Sequence, residues 1–189
     1  MDSTLIVLGG GPAGVLTAVL LARRGYEMRL LTADRPRPRI EGLSQRVVDV
    51  LAAQGLHHAL DAVGPEVPRQ ALWGGERGLR NVEFATERAA FDAALRRDAA
   101  ANGVDCRTVR TIAMDGGSPP TLRIETPEKS RQRMSARLII EARGRSAPLP
   151  SARAVLGPPI TALISEVTGG PARAGHGDAR RRSSMMNKS

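Results

Sequence analysis

Thr4-Leu5-Ile6-Val7-Leu8-Gly9-Gly10-Gly11-Pro12-Ala13-Gly14 is the stretch on which the fold turns. Residues 4–8 are β-branched and aliphatic, too few for a helix and closed by glycines, so they read as a buried parallel strand. From residue 12 to residue 24 the chain becomes rich in Ala and Leu, which favours a helix, and Gly25 supplies its stop. Residues 26–31 then form a second strand. Strand, glycine turn, helix and strand make a βαβ unit, whose crossover is right-handed.

The turn itself has the spacing Gly9-x-Gly11-x-x-Gly14. A first glycine permits the tight bend, a second lets backbone approach a pyrophosphate, and a third allows close helix–strand packing. The helix N-terminus behind it offers free N–H groups and partial positive charge to an anion. A ligand-free glycine turn is the bland alternative, and the flanking strand and helix favour dinucleotide binding over it. The usual companion is an acidic residue ending the second strand, bound to the ribose hydroxyls. Here Thr32 occupies that place and the carboxylate, Asp34, comes two residues later. Either Thr32 accepts one ribose hydrogen bond or Asp34 reaches back from the loop.

Beyond this unit, Pro36 and Pro38 exclude a helix over residues 34–39. A helix is expected over 44–53, closed by Gly55. Residues 64–82 show Gly and Pro without a clear period and read as irregular. A long helix should cover 87–102, with Phe91, Ala94, Leu95 and Ala99 on one face. Residues 104–109 read as a third strand. Two further strand-like runs, 121–126 and 136–142, flank a charged turn over 128–133, and the second is apolar enough to join the parallel sheet. Residues 169–189 have few core-forming side chains and read as a disordered basic tail.

Composition narrows the function. The 189 residues carry a net charge of +9, yet only two of the 28 basic residues, Lys129 and Lys188, are lysines. The arginines are scattered apart from Arg180, Arg181 and Arg182, and the rings of Tyr26, Trp73, Phe84 and Phe91 form no stacking row. Nucleic acid is therefore not the expected partner. A single cysteine, Cys106, excludes an internal disulfide framework and a multi-cysteine metal site; in mid-strand it reads as a packing residue. His57 and His58, expected on a loop, and His176 form no triad with it, and Ser146 lacks a hydrolase elbow. No apolar run is long enough to span a membrane. Glycines interrupt the N-terminal apolar stretch, so no secretory signal is expected and a reducing, cytoplasmic setting fits best.

Several motifs together resemble the FAD-dependent monooxygenase and halogenase group, whose FAD domain is of the glutathione-reductase-like kind. They are Leu8-Gly-Gly-Gly-Pro-Ala-Gly14, Glu41-Gly-Leu-Ser-Gln-Arg46, Arg88-Ala-Ala-Phe-Asp-Ala-Ala-Leu95 and Leu138-Ile-Ile-Glu-Ala-Arg-Gly-Arg-Ser146. Within the group, the second and fourth look most like flavoproteins that mature protein-derived quinone cofactors, with tryptophan halogenases as neighbours. The resemblance implies that Arg46 and Arg88 contact the cofactor. Arg143 departs from the group, which carries an aspartate before that glycine. Gly177-Asp178-Ala179 matches the group's later flavin motif by chance, since no apolar strand precedes it.

The expectation is thus an α/β, Rossmann-like FAD/NAD(P)-binding domain over 1–168 with a parallel sheet and a small antiparallel addition, its C-terminal half missing. Gly9, Gly11, Pro12, Ala13 and Gly14 would bind the cofactor with Thr32 or Asp34, Arg46 and Arg88. The implied cofactor is FAD, with NAD(P)H as electron donor. The implied substrate is a small or protein-bound aromatic, and a partner chain completing the fold is a further expectation. No catalytic acid or base follows from spacing. An inactive truncated fragment, or a simple NAD(P) module using the arginines of 35–39, are the alternatives.

Overall fold

The computed structural model describes residues 4–33, 39–73, 76–144 and 147. The expected tail, Asp34, Ser146 and the Gly177-Asp178-Ala179 match lie outside the described residues. The chain opens with β1 (Leu5–Leu8), α1 (Pro12–Ala22), β2 (Met28–Thr32), β3 (Ile40–Leu43), α2 (Gln45–Ala53) and α3 (His57–Asp61). It continues with β4 (Glu66–Trp73), β5 (Glu76–Glu87), α4 (Arg88–Ala101) and β6 (Asp105–Thr108). The last elements are β7 (Arg110–Asp115), β8 (Thr121–Glu125), β9 (Arg131–Ser135) and β10 (Leu138–Glu141).

The parallel sheet has the order β10-β1-β2-β6, formed by the four strands expected from sequence. Leu5 pairs with Leu138 on one side and Met28 on the other. The alternation of a strand sends Leu5 and Val7 to one face and Ile6 and Leu8 to the other. On the first face, Leu5, Val7, Met28 and Leu30 pack against Val15 and Val19 of α1, Leu51 of α2, Ala59 of α3 and Phe91, Leu95 and Ala99 of α4. On the second, Ile6, Leu8 and Leu31 meet Leu122 and Ile124 of β8 and Met134 of β9. Each of the Val, Leu, Ile, Met and Phe side chains contributes roughly 1.5–3 kcal/mol on burial. Both faces are covered, which is why the strand is apolar throughout. The layers are therefore helices, parallel sheet and an antiparallel sheet of order β7-β8-β9.

A third sheet, of order β3-β5-β4, corrects the sequence reading of 64–82 as irregular. β4 is an edge strand, where Pro68, opposite Val82, is tolerated because its missing N–H need not serve an inner ladder. Residues 131–133, expected in a turn, belong to β9, and the reversal is confined to 126–130, where Lys129 N–H donates to the Thr126 carbonyl at 2.9 Å. His57 and His58 stand on α3 and not on a loop. The buried Asp98 of α4 accepts from the N–H groups of His58 at 3.1 Å and Ala59 at 2.8 Å. That carboxylate thus serves two open donors of α3 and ties it to α4. Cys106 is half-buried in β6, and burial pushes its thiol up, away from nucleophilic character.

Candidate cofactor-binding site

β1 ends at Leu8, and the chain must reverse into α1 within three residues. Gly9 does so with φ +116, a conformation an L side chain rarely adopts. Its N–H donates to the Leu31 carbonyl at 2.8 Å, and a Cβ there would run into the backbone of Ala142. At Gly14, a Cβ would strike the Gly9 carbonyl oxygen, so α1 approaches the end of β1 only because this residue has no side chain.

Gly11 caps α1 in extended geometry, with no side-chain hydrogen bond closing the helix and no acid in its first turn. Pro12 opens the helix and lacks an N–H, so the open donors fall to Ala13 and Gly14. A helix end that is neither capped nor neutralised by its own sequence presents its partial positive charge outward.

Arg88, the first residue of α4, reaches this turn. Its Nη2 lies 3.0 Å from where a Cβ of Gly11 would sit. The rest of the guanidinium is held in place: Nε donates to Asp92 at 2.8 Å and Nη1 to Glu41 at 2.6 Å. Glu41 is itself paired with Arg39 at 2.5 Å. Burial disfavours the Arg88 charge, but the hydrogen bonds and charges of Asp92 and Glu41 outweigh it and hold the pKa above its usual value. Two edges of the fork are tied down, and the remaining nitrogen faces the glycine turn.

Thr32 ends β2 beside the turn, 3% exposed, and its Oγ1 is buried without a hydrogen-bond partner among the described residues. Its methyl group lies where a Cβ of Gly10 would go. The turn after β10 completes this edge of the sheet. Ala142 N–H donates to the Leu8 carbonyl at 2.8 Å, and Gly144 takes φ +60. Arg143, the departure from the group pattern, is folded back on Glu141. Burial works against the Glu141 charge, yet hydrogen bonds from Arg143 lower its pKa, and the Arg143 pKa rises in return.

Of the residues expected at a cofactor, the structure thus gathers Gly9, Gly11, Pro12, Ala13, Gly14, Thr32 and Arg88 at one edge. Arg46 is exposed near the start of α2, and no hydrogen bond or ion pair joins it to these residues. The sequence reading missed Glu41 and Asp92 as supports of Arg88. The spacing of Arg88 and Asp92, one helical turn, was a usable signal. Glu41 arrives from a strand 47 residues away, and nothing local announces it.

Residues 2–153 match the model of the family described as FAD binding domain. A tryptophan 2-halogenase of Chondromyces crocatus is 39% identical over 114 residues, which span 54% of this chain and 22% of the halogenase. A flavin-dependent oxygenase of Aspergillus ustus is 33% identical over 92 residues, spanning 45% of this chain and 14% of the oxygenase. The solved structure of a peptidyl tryptophan dihydroxylase essential for tryptophylquinone cofactor biogenesis aligns with a TM-score of 0.71 at 35% identity. That alignment covers 82% of this chain and 35% of the dihydroxylase. These matches agree with the resemblance read from the four motifs. No helix among the described residues is long and apolar enough to cross a membrane.

Proposed function

Because the chain belongs to the FAD binding domain family, we propose that the edge of the parallel sheet at Gly9–Gly14 and Arg88 is its grip on FAD, within a flavin-dependent oxidoreductase of the monooxygenase or halogenase type. The residues fit that cofactor. The uncapped start of α1 and the N–H groups of Ala13 and Gly14 suit a pyrophosphate, and the orphaned Thr32 Oγ1 suits a ribose hydroxyl. The observation that carries the reading is Arg88, held by Asp92 and Glu41 with Nη2 turned to Gly11. An arginine edge there supplies a charge-assisted hydrogen bond to phosphate or flavin.

Bound FAD supplies the two-electron and oxygen chemistry that side chains lack. The chain's own part is to bind and orient it: Gly9 and Gly14 shape the turn, and Asp92 and Glu41 keep Arg88 charged and aimed. We assign NAD(P)H as electron donor and an aromatic substrate of the tryptophan type, free or within a protein. Support for the substrate is the likeness to a tryptophan halogenase and a peptidyl tryptophan dihydroxylase. Asp34 is assigned as a second ribose contact, and Arg46 as a further phosphate contact.

Titration of the purified 189-residue chain with FAD, followed by flavin fluorescence and absorbance, tests the site. About one equivalent should bind. Arg88→Met should weaken binding roughly 10- to 100-fold, the worth of one charged hydrogen bond. Gly11→Val should abolish it, by filling the phosphate's space and pushing Arg88 aside. Unchanged affinity in both variants would overturn the assignment.

A further inference from the structure

The outer face of the β7-β8-β9 sheet bears features that the cofactor site does not use. Its inner face is packed through Leu122, Ile124 and Met134, so the opposite side is open. There the register sets Arg123 directly across from Arg133. Like charges directly opposed on antiparallel strands are destabilising. The neighbouring carboxylates do not relieve them: Glu125 is engaged by Arg110 at 2.8 Å, and Asp115 accepts from the Gly117 N–H at 3.3 Å. Neither Arg123 nor Arg133 has an acidic partner among the described residues.

An apolar side chain joins this surface. The pairing slips by one residue between Thr111 and Ala113, and a bulge of this kind re-aims the side chain it carries. Ile112, the residue at the slip, is 40% exposed. Together with Arg123, Arg131 and Arg133 it lines a hollow of about 530 Å³. Cations and an exposed aliphatic group in one hollow, at a cost to the sheet's own stability, mark a place kept for something other than folding.

We propose that this hollow is an interaction surface for an acidic, partly apolar segment of another protein. Its carboxylates would answer Arg123 and Arg133, and an apolar side chain would cover Ile112. Charge complementarity selects an anionic partner. The exposed Ile112 favours a polypeptide over nucleic acid, whose bases would call for stacking rings that this hollow's lining lacks.

The test is fluorescence anisotropy of the 189-residue chain with a short labelled peptide of alternating glutamate and leucine. Replacing both arginines, Arg123→Ser with Arg133→Ser, should weaken binding by about tenfold or more. It should also raise the melting temperature by about 1–3 °C, because the opposed charges are gone. Ile112→Ser should weaken the same peptide but leave polyglutamate binding unchanged. Arg97→Ser with Arg137→Ser, which removes equal charge elsewhere, should bind like the parent. Equal losses in that control would reduce the effect to net charge and overturn the proposal. A lower melting temperature in the first variant, or tighter binding of single-stranded DNA with the same arginine dependence, would also overturn it.

Discussion

Thr32 keeps a hydroxyl where water is excluded and the described residues offer it no partner. An unsatisfied buried hydroxyl costs about 1–3 kcal/mol, whereas an apolar group of the same shape avoids that cost. Thr32→Val should therefore leave the ligand-free melting temperature unchanged or slightly higher. If the hydroxyl serves a ribose, the same change should weaken FAD binding roughly 3- to 10-fold by titration. A purely structural threonine would give a lower melting temperature and unaltered affinity. Arg88 works by the opposite logic: its charge is already answered by Glu41 and Asp92, so it sits stably and needs no ligand to stay aimed.

At the scale of the element, the start of α4 fixes where Arg88 can stand. Glu87 caps this helix, accepting from Ala89 N–H at 3.1 Å and Ala90 N–H at 2.6 Å. Those backbone bonds, that from Ala90 first, lower its pKa in the folded chain. Its folded pKa thus lies below the unfolded one, so its contribution is present above the unfolded value and lost as pH falls through the folded one. Glu87→Gln should destabilise the protein at neutral pH. The difference from the parent should begin to shrink as pH falls below the ordinary glutamate value of about 4.3 and disappear below the lowered folded pKa, as followed by thermal melts across pH. A difference constant with pH would show that the carboxylate charge plays no part.

The same scale explains what was legible beforehand. β1, the glycine turn, α1 and β10 announce themselves because an aliphatic run or a Gly spacing is local information. β4 and β5 do not: residues 66–69 are all exposed, and Asn81 and Val82 with them, so no inside–outside alternation marks the strands. Their order comes from pairing with each other and with β3. β9 hid for a similar reason, since Arg131, Gln132 and Arg133 are all exposed and only Met134 turns inward to the core. At the site, the glycine spacing and the one-turn spacing of Arg88 and Asp92 were readable, while the approach of Glu41 to Arg88 from another strand was not.

For the molecule as a whole, one covered sheet supports two unlike faces: helices that deliver Arg88 on one side, and a β-meander on the other. FAD at a hundred times its dissociation constant should add about 2.7 kcal/mol to stability, raising the melting temperature by roughly 5–10 °C for a domain of this size. Differential scanning fluorimetry with and without FAD reads this directly, and no shift at saturation would contradict ligand binding by the folded form. The backbone of Ala142 closes on Gly9, and Gly9 in turn on Gly14. Two loops distant in sequence are therefore keyed together like wards in a lock. If this edge holds FAD as proposed, anyone wishing to retune its nucleotide preference would find Gly9 and Gly14 nearly immutable, and should spend their codons around Thr32.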